Sequence, residues 1–274
     1  MLISSNPPEL IWIWAGVAVY AVATPLALTG KASSPLREKL LLGLLGLSLV
    51  LFALAIEIRW MRIGHGPFIN LFEILSSSLF SLGLIYTLAF WRLPLLRPSA
   101  VVTLPIMLIL GLWLLVVNPV DSHLPPTYDT PWLWAHVITG KVFLGFCLLA
   151  LGLAGAILLR QSGFTRRFST IPDDIVLDHL AWRFMGVALV FQSLMLIAGA
   201  VWAQDAWGRY WAWDPIETWA LLTWLAVAAA QHLRATFRIS PWLGAIMILG
   251  IFILAFLTFF GVPFISASPH KGAI

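Results

Sequence analysis

The chain has 274 residues, of which 61% are hydrophobic and only 10% charged, and a mean hydropathy of +0.94, more apolar surface than the core of a soluble domain requires. The formal charge of +4 is spread over several short connections with no continuous basic stripe, which excludes a nucleic-acid interface. The single cysteine, Cys147, excludes an internal disulfide, a Cys-x-x-Cys redox pair and a Cys-x-x-Cys-His attachment site.

Apolar runs of bilayer length, about 20 residues each, fall at 9–30, 38–60, 70–91, 99–118, 131–160, 180–203, 216–237 and 241–265. They predict an all-α integral membrane protein, a bundle of eight transmembrane helices in one polytopic domain over 1–274. The first run has neither a basic start nor an A-x-A-like cleavage site, so it reads as a retained helix. Between the second and third runs, "RWMRIGHGPFINLFEILSS" sets His65 in a turn ordered by Gly64, Gly66 and Pro67. The connections 119–130, "PVDSHLPPTYDT", and 161–179 read as loops, with His123 and His179 solvated among aspartates.

The fifth run opens with "PWLWAHVITGKVFLG", placing His136 near its start and Lys141 five residues later, to snorkel outward or to meet a carboxylate. Lysines and arginines concentrate in the connections after the first, third, fifth and seventh runs. By the positive-inside rule, both termini and the loop before residue 216 face the extracytoplasmic side.

That loop holds "WGRYWAWDP", residues 207–215. With Trp202 just before it, Trp207, Tyr210, Trp211 and Trp213 crowd a segment about a dozen residues long. Asp214, Pro215 and Glu217 carry the spacing of a helix N-cap and capping box. Taken singly, the acidic pair is helix punctuation and the rings are interfacial anchors; taken together, next to a helix N-terminus, they form a platform for a flat ligand with acidic groups. His270 follows the last run on the same side as His136. His232 lies 17 residues beyond Pro215, about 25 Å along a helix at 1.5 Å per residue. If these histidines are ligands, they make two sites, one at the outer face and one deep.

"AVWAQDAWGRYWAWDPIETWALLTWLAVAAAQH" resembles the tryptophan-rich WWD signature (here about 202–219) of the CcsA (ResC) family of System II cytochrome c biogenesis. "GHGPFINLFEILSS", "WLWAHVITGKVFLG" and "GVPFISASPH" are similar to that family's other segments, so the resemblance covers nearly the whole chain. It departs at Tyr210, where a second tryptophan is common, at Ile216, usually lysine, and at Ser268, Pro269 and Lys271 around His270.

The resemblance implies a haem-handling subunit of a holocytochrome c synthase (haem lyase), in a bacterial cytoplasmic or a thylakoid membrane. His136 and His270 would ligate the iron of haem b on the outer face. The WWD loop, with Trp202, Trp207, Tyr210, Trp211, Trp213 and Asp214, would hold the porphyrin. His232 would belong to an inner site whose second ligand comes from a CcsB (ResB)-like partner subunit, and His65 matches a family motif without an assigned role. Apocytochrome c and an extracytoplasmic thiol-reducing protein are the implied partners, and no catalytic acid or base is assigned. A System I relative of the CcmC or CcmF type is the nearest alternative reading. A transporter would need broken helices or paired midplane charges, and a structural subunit would purify colourless.

Overall fold

The computed structural model describes residues 7–28, 34–161 and 172–265, so His270 and the residues around it lie outside the described part. The described residues are helical and contain no strand: α1 (Leu10–Leu28), α2 (Pro35–Ile63), α3 (Leu71–Arg92), a 3-10 turn (Pro94–Ser99), α4 (Ala100–Val116), α5 (Pro131–Gln161), α6 (Asp174–Trp207), α7 (Pro215–Thr236), α8 (Pro241–Phe260) and the short α9 (Val262–Ile265). Proline in the first turn, where no backbone N–H is needed, starts α2, α5, α7 and α8.

Among the described residues seven helices are long and apolar enough to cross a membrane. The eighth expected span, α7, has 22 residues and is about 33 Å long, but Glu217, Gln231, His232 and Arg234 lower its hydropathy and it is not among the seven. Elements also run longer than their apolar cores. The expected run 180–203 sits inside α6, whose 34 residues include polar turns at both ends.

The apolar stretch of α5 is 72% buried, against 50% or less in the other six, so α5 is the central helix. It packs on α3, α4, α6 and α8. Small residues permit this: a Cβ on Gly152 would lie 2.6 Å from Thr103 Oγ1, and one on Gly155 would lie 2.7 Å from Val102 Cγ2. Without side chains there, the α5 backbone and α4 approach closely. At the far end of the bundle from the tryptophan-rich loop, Arg97 pairs with Glu38 at 2.5 Å, Arg160 with Asp174 at 2.9 Å, and Arg234 with Asp178.

The loop end is clamped by a buried ionic network. Arg59, 1% exposed, donates to Glu9 at 2.9 Å, to Glu73 at 2.8 and 3.1 Å, and to the Val120 carbonyl at 2.5 Å. Arg62 bridges Glu9 at 2.7 Å and Asp121 at 2.6 and 2.8 Å. The Ser122 hydroxyl donates to Glu73 at 2.6 Å. The chain before α1, the end of α2, the start of α3 and the 117–130 connection are thereby tied together.

The hydrogen bonds from Arg62 hold the Asp121 carboxyl below the usual aspartate range. A depressed folded-state pKa contributes stability above the unfolded value, near 4, and loses it as pH falls through the folded value. Because the Asp121 side chain is 51% exposed, Asp121→Asn is expected to cost less than about 1 kcal/mol at neutral pH. In detergent unfolding titrations the gap between wild type and variant should close under acid.

Candidate functional site

Beside the main core lies a second cluster in which Tyr128, Leu133 and Trp202 are buried and Phe68, Val137 and Trp207 pack around them. Tyr128 meets Trp202 edge-on at 5.2 Å and Trp207 at 6.0 Å, and the two indoles meet edge-on at 5.1 Å. The Trp202 indole N–H donates to the Tyr128 carbonyl at 3.1 Å. The 117–130 connection is thus pinned to α6, and burial pushes the Tyr128 phenol up.

His136 stands at the floor of this cluster. Leu133, His136, Val137, Gly140 and Lys141 form one stripe of α5, at i, i+3, i+4, i+7 and i+8, and all line a cavity of about 190 Å3 closed by residues including Met195, Trp202 and Phe259. A smaller cavity of about 80 Å3 shares His136, Met195, Trp202 and Ile216 and continues toward Tyr210, Trp211 and Glu217. His136 is therefore at the junction of the two. Its ring lies nearly parallel to Trp202, at 6.0 Å and 15°, and its Nδ1 lies 2.9 Å from the Met195 carbonyl. A carbonyl only accepts, so Nδ1 is the donor, and Nε2 is the nitrogen that a metal-binding imidazole held this way would use. Gly199 makes the room, because a Cβ there would fall 2.6 Å from Nδ1.

The tryptophan-rich segment divides. Trp207 is the last residue of α6, which ends at Gly208 in the left-handed region (φ 79°), with the Gly208 N–H donating to Gln204 O. Only 208–214 is loop, shorter than the expected dozen residues. Among the described residues the rings fall into two edge-on groups, Trp202 and Trp207 around Tyr128, and Trp211 against Trp213 at 5.8 Å. Tyr210 and Trp213 are 59% and 69% exposed. Trp213 has a φ of 59°, unusual for a bulky residue. The Trp211 indole N–H is buried without an acceptor among the described residues.

Asp214 caps α7 as expected, accepting from Glu217 N at 2.9 Å. The Glu217 carboxylate, however, reaches past the cap to Ala212 N at 2.7 Å. The sharp turn at Trp213 lies between these contacts, so Glu217 fastens the whole loop. Two carboxylates thus occupy the start of α7.

His65 lines neither cavity. Its ring nitrogens lie 3.0 Å from the Gly66 and Ser122 carbonyls, joining the turn before α3 to the 117–130 connection. His232 is exposed on α7. Its neighbour Gln231 donates to the Trp182 carbonyl, whereas His136 meets α6 at Met195, about 20 Å away along that helix. One iron cannot join them. His123 and His179 are exposed. Sequence reasoning missed Tyr128, Met195 and Gly199; only the glycine, in mid-helix three residues before Trp202, carries a legible signal.

Residues 34–270 match the family model described as cytochrome C assembly protein. The chain is 31% identical over 242 residues to the cytochrome c biogenesis protein CcsA of Chlamydomonas reinhardtii, covering 83% of this chain and 67% of that one. It is 30% identical over 257 residues to the CcsA protein of Guillardia theta, with 82% of each covered, and 32% identical to that of Prochlorococcus marinus (strain MIT 9312), with 81% of each covered. Among solved structures it shares its fold with cytochrome c heme lyase CcmF, with a TM-score of 0.70 at 18% identity, over 100% of this chain but only 49% of that one. By the extent of these matches, the chain belongs to the CcsA family of cytochrome c assembly proteins.

Proposed function

We propose that the chain handles haem in cytochrome c maturation, holding it on the extracytoplasmic side for attachment to an apocytochrome Cys-x-x-Cys-His segment. The observation that carries this reading is His136: an imidazole of fixed orientation, parallel to an indole, where two cavities meet. The donor set fits haem as substrate, since Nε2 of His136 suits iron, indoles suit a macrocycle face, and the Trp211 N–H offers a hydrogen bond.

His270 supplies the second outer ligand in this reading, and His232, on the outside of α7, serves an inner site completed by a CcsB-like subunit. Trp202 and Trp207 stiffen the pocket wall, and Tyr210, Trp211 and Trp213 form its movable cover, anchored at Asp214 and Glu217. His65 holds the connection that carries Tyr128. Both cavities are smaller than the roughly 300–1,000 Å3 of common ligand pockets, so the 208–214 loop moves outward to admit a porphyrin. When haem is held, its vinyl groups take up the apocytochrome thiols, sulfur bonding to one vinyl carbon and the proton passing to the other. The protein contributes orientation and exclusion of water.

Both termini and the loop face outward by the charge distribution, in a bacterial cytoplasmic or thylakoid membrane. The test is a pyridine-haemochrome assay and a reduced-minus-oxidised spectrum on the chain purified with its partner. A low-spin, bis-imidazole spectrum is expected, depleted in His136→Ala and in His270→Ala. A colourless wild type, or an undiminished haem content in the double variant, overturns the reading.

A further inference from the structure

The two cavities meeting at His136 are lined by different ionisable groups. The smaller one ends at Glu217, 9% exposed, whose carboxylate is fixed by Ala212 N. The larger one contains Lys141, two positions from Thr139 and one turn deeper in α5 than His136. Lys141 pairs with no carboxylate among the described residues. Its Nζ donates to Ser77 Oγ at 2.9 Å and to Ser78 Oγ at 3.2 Å. Ser77 in turn donates to the Glu73 carbonyl at 2.6 Å, so its oxygen is oriented to accept.

An ammonium has three donors and no acceptor, and two neutral hydroxyls leave it short of both a third partner and a counter-charge. A lysine in such a place, inside an apolar cavity, is costly unless something uses it. The surrounding walls are Phe68, Ile74, Leu133, Val137 and Phe259, apolar surface that suits a ring system and supplies no anion.

We propose that Lys141 is the counter-charge for a carboxylate of the bound porphyrin, so that the macrocycle enters the larger cavity acid edge first. This rests on the haem reading above and adds an orientation to it. In a protoporphyrin the two propionates project from one edge and the vinyls lie toward the other. A propionate on Lys141 therefore turns the vinyl edge to the 208–214 loop, where thiols arrive. The reverse orientation would set the propionates near Glu217 and Asp214, two carboxylates in a poorly solvated place, and like charges repel there. Lys141 is a positioning residue in this scheme, distinct from the iron ligand.

The test separates the anchor from iron ligation by using iron-free porphyrin. Protoporphyrin IX and its dimethyl ester are titrated by fluorescence against the purified full chain, wild type, Lys141→Met and Lys141→Arg. Wild type is expected to bind the acid about tenfold or more tighter than the ester, the yield of one charge-assisted hydrogen bond. Lys141→Met should erase that preference while leaving ester affinity within about twofold, and Lys141→Arg should restore most of it. An ester that binds wild type as well as the acid overturns the anchor, as does a Lys141→Met variant that weakens both alike. Failure of wild type to bind either porphyrin overturns the haem reading together with the anchor.

Discussion

Arg59→Leu is expected to cost about 3–5 kcal/mol of stability, because removing one partner of a buried ionic set leaves uncompensated charge behind. Glu9 and Glu73 are both wholly buried, and Arg59 is the cation that touches both. Arg62 reaches Glu9 but not Glu73, which would keep only the Ser122 hydroxyl and the Ile69 N–H. Leucine fills much of the same space, so the loss isolates charge from packing. Restoring neutrality with Glu9→Gln and Glu73→Gln in the same chain should recover most of the stability. Urea titration in detergent at neutral pH measures both. A single variant within about 1 kcal/mol of wild type would show that the network is not a clamp. The effect should spread to the site, since Arg59 also holds the Val120 carbonyl and Tyr128 lies in the same connection. Proteolysis between residues 117 and 130 is expected to quicken in Arg59→Leu, with Trp202 fluorescence shifting as its carbonyl partner loosens.

The network also marks where sequence reading stops. Hydropathy finds the helices because bilayer thickness fixes their length, and the proline starts of α5, α7 and α8 fix their phase. Charge counting records Arg59 and Arg62 as sparse basic residues on one face; the role of Arg59 depends on Glu9 and Glu73, fifty and fourteen positions away, and that of Arg62 on Glu9 and Asp121. Such pairings are set by helix packing, which no local pattern encodes. The same division runs through the site. Asp214 is read correctly because capping is local. The division of the tryptophans into two groups is not, because Trp202 and Trp207 choose Tyr128 from a distant loop. His136 is singled out by sequence as a costly polar group in an apolar run, and its orientation comes from Met195 and Gly199 on the neighbouring helix.

That dependence on Gly199 gives the second large effect, and its sign depends on His136. In an otherwise unchanged chain, Gly199→Ala puts a methyl 2.6 Å from Nδ1 and 2.8 Å from Cε1 of the imidazole. The ring must move, losing its 2.9 Å bond to the Met195 carbonyl and its parallel contact with Trp202. Overpacking of this kind costs about 1–3 kcal/mol, more than the roughly 0.5–1 kcal/mol that alanine gains over glycine within a helix, so the variant is expected to be less stable. In a His136→Ala background the obstacle is gone, the new methyl fills vacated space, and only the helix preference remains. Gly199→Ala should then stabilise by about 0.5–1 kcal/mol. The reversal needs no bound haem and is read from unfolding titrations of four chains. Haem content adds a separate reading: Gly199→Ala should deplete the outer site nearly as far as His136→Ala does, and combining them should deplete it no further, because both act on one nitrogen. Equal costs for Gly199→Ala in the two backgrounds would mean that the glycine serves helix packing alone and that His136 is positioned by something else.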